Sequence, residues 1–221
     1  MRADKKLILA TLSLLLAGSA LASTDSVMDA KVAELQAGWA HVKYEVKGEE
    51  AQLAGMEGLV SQAKAVTAAY PGKAEPLIWE AIILSSEAGI KGGMGALSLV
   101  KEAKAKLETA EQIDPTALDG SVNTSLGSLY YQVPGFPIGF GSDKKAKLYL
   151  EKALVQNPDG IDPNYFYGDF LFRQGDYARA RDVLNHALAA APRPGREVAD
   201  AGRREEINAI LAQVETKVAR R

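Results

Sequence analysis

Side chains able to perform catalytic or metal chemistry are few in this chain of 221 residues. It has no cysteine, and its two histidines, His41 and His186, lie far apart in the sequence. A zinc site needs several nitrogen or sulfur ligands, and nucleophilic catalysis needs a nucleophile beside a base. No Gly-x-Ser-x-Gly, His-Glu-x-x-His, phosphate-loop or dinucleotide-binding motif is present. We therefore expect a protein that is not an enzyme and that carries no cofactor or metal.

Carboxylates offer the next candidates, because Asp114, Asp119, Asp159 and Asp162 all lie beside expected turns. Such residues can bind calcium or transfer protons, but at turns they commonly cap helix ends. The interpretation that we favour is capping. His186 follows the same reasoning and is interpreted as a surface or interhelical residue.

An apolar segment punctuated by glycine and proline is the most unusual feature of the sequence. Within residues 133–141, the run Phe136-Pro-Ile138-Gly-Phe140 concentrates large apolar side chains where no long helix can form. These side chains must be covered by something. Two alternatives are open: the segment folds back over its own helices, or it lines a pocket or a partner-binding site.

The N-terminal residues have the pattern of a targeting signal. A basic start is followed by the apolar run 7–16 and by Ala20-Leu21-Ala22, a pattern typical of a secretory signal peptide over residues 1–22. An apolar run of about ten residues is too short to span a bilayer, and no later run is longer, so we expect no transmembrane segment in the mature chain. We expect a secreted protein, periplasmic in a Gram-negative host. The formal net charge of −2 disfavours nucleic-acid binding.

The elements that position these residues are predicted to be helices. Apolar residues recur at intervals of three and four, as in Val32, Leu35, Trp39 and Val42, and alternation of period two is nowhere sustained. Glycines and prolines divide the chain into about nine helices. The fold class is therefore all-α. Trp39 and Trp79 lie in the apolar stripes and are expected in the core.

A small–large–small–Pro register repeats in three units. Its members are Ala103, Leu107, Ala110, Pro115; Ala146, Leu150, Ala153, Pro158; and Ala180, Leu184, Ala187, Pro192. The last unit adds Gly168 and Tyr177 and resembles a tetratricopeptide repeat (TPR). This resemblance implies a TPR-like right-handed superhelix of about four helix pairs plus a C-terminal capping helix.

The expected boundaries follow from the same register. Residues 23–221 form one domain, with the clearest repeats at 76–115, 120–158 and 161–192 and the capping helix at 197–221. Residues 27–71 match only loosely and are expected to be a divergent helical pair. The third unit carries seven extra residues, which fall in 133–141, and the second is expected to carry a similar insertion around 89–95.

The resemblance also implies which residues face a ligand, because first helices line the concave face of a TPR stack. From the third unit these are Ser121, Thr124, Ser128, Tyr131 and Gln132. From the last unit they are Asp162, Tyr165, Asp169, Phe172 and Arg173. We add Phe136, Ile138 and Phe140, and we expect these three to form one apolar wall with Met94.

An exported helical stack with insertions suits a scaffold that binds a protein or peptide partner through its concave face and its inserted loops. The architecture is also similar to the T-component of TRAP (tripartite ATP-independent periplasmic) transporters, which implies a solute-transport accessory that binds a small apolar or carboxylate ligand. The chain lacks the lipid-modified cysteine of that family.

Overall fold

The computed structural model describes residues 25–219, and the expected signal peptide at 1–22 lies outside them. Helix α1 spans 25–40 and ends in a π-helical turn, His41–Glu45. The other helices are α2 (Glu49–Ala69), α3 (Ala74–Lys91), α4 (Gly93–Ile113), α5 (Ala117–Gln132), α6 (Asp143–Gln156), α7 (Ile161–Arg173), α8 (Tyr177–Leu188) and α9 (Glu197–Val218). Within 25–219 there is no strand, only an isolated bridge between Gly135 and Gly141. The predicted all-α class is confirmed.

The helices are arranged as a stack of hairpins. Helix α3 packs on α4, α5 on α6 and α7 on α8, while the first helices α3, α5, α7 and α9 contact one another in sequence. This is the predicted architecture of about four pairs and a final helix. Helix α9 buries Ile207, Ile210 and Val214 against the last pair, as a terminal cap does.

Within a pair, the two helices approach closely at a glycine. A methyl group on Gly127 would lie 2.7 Å from Leu150 Cγ, and one on Gly168 would lie 2.6 Å from Leu184 Cγ. Gly38 of α1 has the same relation to Leu59 of α2, at 2.8 Å from its Cδ2. The pair formed by α1 and α2 thus shares the contact that characterises the third and last pairs.

The predicted register is fully buried in the structure. All nine small or large apolar residues of the three second helices have no exposed surface: Ala103, Leu107, Ala110, Ala146, Leu150, Ala153, Ala180, Leu184 and Ala187. Alanine permits close backbone approach, and in the third and last pairs leucine fills the space that the glycine of the facing helix leaves. The repeat in the sequence is therefore a repeat in packing.

The two expected insertions have different structures. Helix α5 ends at Gln132 and α6 begins at Asp143, so residues 133–142 form a true loop, which we call the Phe136 loop. The insertion expected around 89–95 is not a loop. Helices α3 and α4 are instead longer and are joined by Gly92 alone, at a φ of 60° that glycine adopts without strain.

Candidate functional site

The stack closes on itself, because α9 contacts the turn at the end of α1. Gly202 lies directly against the Tyr44 ring, where any larger side chain would collide with it. The Tyr44 hydroxyl donates to Glu206 Oε2 over 3.3 Å, and the Lys43 ammonium lies 3.0 Å from Glu206 Oε1. The concave face is therefore enclosed by α1, α3, α5, α7 and α9 instead of forming an open groove.

The enclosed space is a cavity of about 640 Å³. Its wall combines indole rings from α1 and α3, hydroxyls from α3 and α5, and charged groups from α7 and the start of α9. Eight of the ten residues that the resemblance places on the concave face line it: Ser121, Thr124, Ser128, Gln132, Asp162, Tyr165, Asp169 and Arg173.

Tyr131 and Phe172 are not among the cavity-lining residues. The Tyr131 hydroxyl donates to Asp169 Oδ2 over 2.8 Å, and the Arg173 guanidinium lies over the Tyr131 ring at 5.3 Å. Burial, followed by the nearby Asp169 charge, raises the pKa of Tyr131 well above its usual value. Phe172 packs against Tyr177 of α8, with ring centroids 5.7 Å apart. Tyr131 thus orients a lining residue, and Phe172 belongs to the packing of its own pair.

One end of the cavity is built from a network of ion pairs, which we call the closure network. Its members are Lys43, Tyr44, Asp162, Arg193, Asp200, Arg203 and Glu206. Asp162 is the hub: Arg193 Nη1 lies 2.7 Å and Arg203 Nε 2.8 Å from its two oxygens. The Asp162–Arg203 pair links α7 to α9. Within α9, Arg203 Nη1 lies 2.6 Å from Glu206 Oε2, and Glu206 in turn pairs with Lys43 in the turn that ends α1.

Electrostatics within the closure network follow from burial and pairing. Burial alone would raise the pKa of Asp162, but the charges of Arg203 and Arg193 hold it well below its usual range. Burial would lower the pKa of Arg203, and Asp162 together with Tyr44 raises it instead. Burial also raises the pKa of Tyr165 to about 12, and the Arg203 guanidinium lies 4.1 Å above its ring. Tyr165 therefore remains neutral and Arg203 remains charged at neutral pH.

The Phe136 loop resolves into two parts. Phe140 folds back, edge-on to Tyr130 at 5.7 Å and beneath the Lys104 ammonium. Phe136 and Ile138 project into solvent, 94% and 67% exposed. Backbone hydrogen bonds fix the loop, including Gly141 N–H to the Pro134 carbonyl at 2.9 Å and Ser142 N–H to the Tyr130 carbonyl at 2.7 Å. The first alternative, folding back over its own helices, thus holds for Phe140 but not for Phe136 and Ile138.

Comparison with known proteins places this architecture. Residues 144–205, from α6 into α9, match the family model for the tetratricopeptide repeat. The chain has a TPR fold. A thermophilic TPR protein of Thermus thermophilus, TTC0263, is similar over 91% of this chain and 97% of its own, with a TM-score of 0.55 and 16% sequence identity.

A second solved structure, MamA of AMB-1, covers 83% of this chain and 96% of its own at 19% identity, with a TM-score of 0.45. That score is too low to carry an argument, and the likeness to TTC0263 concerns the fold alone. Curated proteins gave no match.

Several residues of the TPR cavity were not predicted as site residues. Arg193, Arg196 and Arg203 follow the last repeat, in a segment that reads as a polar cap. The available signal was the cluster of arginines that follows Pro192 in the sequence. Trp39 and Trp79 are nearly buried, as predicted for the core, and they also line the cavity, with ring centroids 5.8 Å apart.

The two histidines lie outside the cavity, whereas Asp119 is among its lining residues. His41 Nδ1 pairs with Glu45 at 2.7 Å and His186 Nε2 with Asp159 at 3.0 Å, both on the surface. Among residues 25–219, no group of three or more His, Asp or Glu side chains could hold a metal ion. No helix in this part of the chain has the length and apolar character to cross a membrane. Asp114 caps a turn, accepting from Thr116 N–H at 2.8 Å.

Proposed function

We propose that this protein is an exported, non-enzymatic TPR scaffold that binds a protein partner through the Phe136 loop. The observation that carries the proposal is the pair of exposed apolar side chains, Phe136 and Ile138, on a loop fixed by backbone hydrogen bonds. Apolar side chains held out in an ordered loop bury surface against a partner without the entropy cost of ordering that loop.

The shape of the molecule favours the Phe136 loop, and not the concave face, as the binding site for a folded partner. The concave face encloses about 640 Å³, a volume typical of small-molecule pockets. Met94 is 92% exposed at the start of α4, and α4 begins at the edge of the stack where antiparallel α5 ends. A composite wall of Met94 with the Phe136 loop is part of the proposal.

The test uses the tagged protein as bait in an envelope extract of the source organism. The double variant Phe136→Ser/Ile138→Ser removes the apolar tip, and Val155→Ser is the matched control because Val155 is equally apolar and 84% exposed on α6. We expect wild type and the control to capture the same proteins in equal amounts. The loop variant should fail to capture them. Equal capture by all three, measured by quantitative mass spectrometry, would contradict the proposal.

Export is proposed from the basic–apolar–small pattern of residues 1–22 alone. Intact-mass analysis of the protein recovered from fractionated cells tests it. We expect a chain that begins at Ser23 in the secreted or periplasmic fraction, and a full-length chain in the cytoplasm would contradict export.

A second candidate function is that of a small-molecule-binding accessory of a TRAP-type solute transporter. The enclosed, partly apolar and partly cationic cavity favours it, since a scaffold that bound only proteins would not need an enclosed space. Deleting the gene should then reduce uptake of one solute class, and a gene for a transporter permease should lie beside it. Unchanged uptake across carboxylates and lipids would contradict this function.

A further inference from the structure

We propose that the cavity binds a small amphipathic monoanion, with its carboxylate on Arg196 and its apolar body against Trp79 and Trp39. This inference rests on the second candidate function in one respect: it names the class of small molecule that the cavity binds. It requires neither a transporter nor a protein partner.

The first argument is the balance of charge at the closed end of the cavity. Four cations meet three carboxylates there: Lys43, Arg193, Arg196 and Arg203 against Asp162, Asp200 and Glu206. Each carboxylate is already paired: Asp162 with Arg193 and Arg203, Asp200 with Arg193 at 2.6 Å, and Glu206 with Arg203 and Lys43. Arg196 forms no ion pair with any residue in 25–219. One positive charge is left over, and it belongs to Arg196.

The second argument is the state of Arg196 itself. Its Nε is buried and has no hydrogen-bond partner within the described chain. Its backbone is fixed, with its N–H donating to the Arg193 carbonyl at 3.0 Å and its carbonyl accepting from Asp200 N–H at 2.8 Å. Burial, then repulsion from Arg193, lowers its pKa. Arg196 lines the cavity as a charged group without a counter-ion, and a ligand carboxylate there supplies the missing charge.

The third argument is the surface next to this charge. The Arg196 guanidinium lies 5.1 Å from the Trp79 ring, which is edge-on to Trp39. The Trp39 Nε1–H already donates to Ser86 Oγ at 2.8 Å, so its indole offers only ring surface to a ligand. Met56, Ile82, Ile90 and Phe166 continue the apolar wall.

Together these features select one ligand class. An inorganic anion would satisfy Arg196 but would leave the apolar wall in water, and a neutral hydrocarbon would leave the charge unpaired. A molecule that joins one carboxylate to an apolar body satisfies both. A volume of about 640 Å³ accommodates a molecule of drug-like size.

The experiment uses the protein's own fluorescence, because the chain has two tryptophans and both line the cavity. The purified protein is titrated with octanoate, octanamide and octylammonium, which share a chain and differ in charge. We expect octanoate to bind at least about tenfold more tightly than octanamide, and octylammonium to bind most weakly. Arg196→Gln should reduce octanoate affinity to that of octanamide and leave octanamide binding unchanged.

Arg181→Gln is the matched control, since Arg181 lies on α8 beside Asp182 and outside the cavity. Octanoate should raise the melting temperature of wild type and of this control but not that of Arg196→Gln. Without ligand, Arg196→Gln should melt no lower than wild type, because it removes an unpaired, partly buried charge. A residue with only a structural role would not combine lost binding with retained stability.

Three results would overturn the proposal. They are equal binding of octanoate and octanamide to wild type, full octanoate affinity in Arg196→Gln, and no fluorescence or melting response of wild type at about 10 mM octanoate. If Arg196→Gln did not fold, the ranking of the three probes on wild type would still decide. None of these outcomes bears on capture of a partner by the Phe136 loop, so the two proposals fail separately.

Discussion

Two kinds of contact between helices, both made at a glycine, hold this molecule in its shape. Inside the repeats, Gly127 and Gly168 admit the leucine of the facing helix, an apolar side chain. At the closing contact, Gly202 admits the Tyr44 ring, which lies beside the Trp39 ring and the ion pairs that Glu206 forms with Lys43 and Arg203. The first contact recurs along the chain, whereas the second occurs once.

The difference separates what stabilises the stack from what shapes its cavity. Apolar contacts between repeats supply folding free energy through burial, and they would serve an open stack equally well. The closure network adds charge pairs whose net contribution is small when complete but whose disruption is costly. Its effect is geometric, because it turns a concave face into an enclosed space.

The largest expected effect comes from removing the hub of the closure network. Asp162→Asn leaves Arg193 and Arg203 facing an uncharged amide, and breaking a buried pair costs about 3 kcal/mol. For a domain of this size that is a fall in melting temperature of roughly 6–12 °C. Calorimetry measures it.

Asp182→Asn is the matched control, because it makes the same change in an exposed pair with Arg181. We expect its melting temperature to change by no more than about 2 °C, as usual for surface ion pairs. Similar losses in both variants would show that burial of the closure network contributes nothing.

The same residue predicts how stability depends on pH. The folded pKa of Asp162 lies below its unfolded value of about 3.9, so its contribution is complete above that value and is lost as the pH falls through the folded pKa. The stability gap between wild type and Asp162→Asn should be constant from pH 7 to about pH 5 and should narrow below about pH 4. A gap that was undiminished at pH 2.5, or that already narrowed near pH 6, would contradict this assignment.

A smaller effect is expected at the contact inside the last repeat. In Gly168→Ala the new methyl would lie 2.6 Å from Leu184 Cγ, and overpacking of about 1–3 kcal/mol outweighs the gain in helix propensity of about 1 kcal/mol. Urea unfolding should show a net loss of up to about 2 kcal/mol. Gly58→Ala is the control, because no atom lies within 4 Å of its new methyl, and it should gain stability.

The smallest change in stability is expected at the closing contact, where shape should respond instead. Gly202→Ala displaces the Tyr44 ring, and we expect a loss of only about 1 kcal/mol because the repeats remain intact. The radius of gyration from solution scattering should increase. Trp39, packed on Tyr44 at 5.7 Å, should become accessible to acrylamide quenching. Unchanged scattering and quenching would mean that Tyr44 is accommodated within a closed stack.

Much of the fold could be predicted from the sequence, because periodicity reports burial directly. The register of Ala146, Leu150 and Ala153 predicted which side chains have no exposed surface. The connection in the second pair was predicted wrongly, since glycines around 89–95 indicated a loop. Gly92 and Gly93, both at positive φ, break the helix there, while Gly89 and Gly95 lie within α3 and α4.

The cavity was less accessible to prediction. The ligand-facing positions implied by the TPR resemblance correctly included Thr124, Tyr165 and Arg173, which line the cavity. The same reasoning included Phe172, which packs within its own helix pair. Arg196 was missed because its environment depends on closure, which brings α9 against α1 from opposite ends of the sequence. A pattern that repeats every few dozen residues carries no information about a contact made once.

Closure also limits how this gene can lengthen. An open array grows by duplicating a unit at either terminus, whereas here a further pair at either end would have to displace the packing of Gly202 on Tyr44. Variation is left with the connections between helices, where the Phe136 loop already accommodates added length and keeps its base tied to Tyr130. Such a protein would diversify by changing the sequences of its loops while the number of helix pairs stays constant.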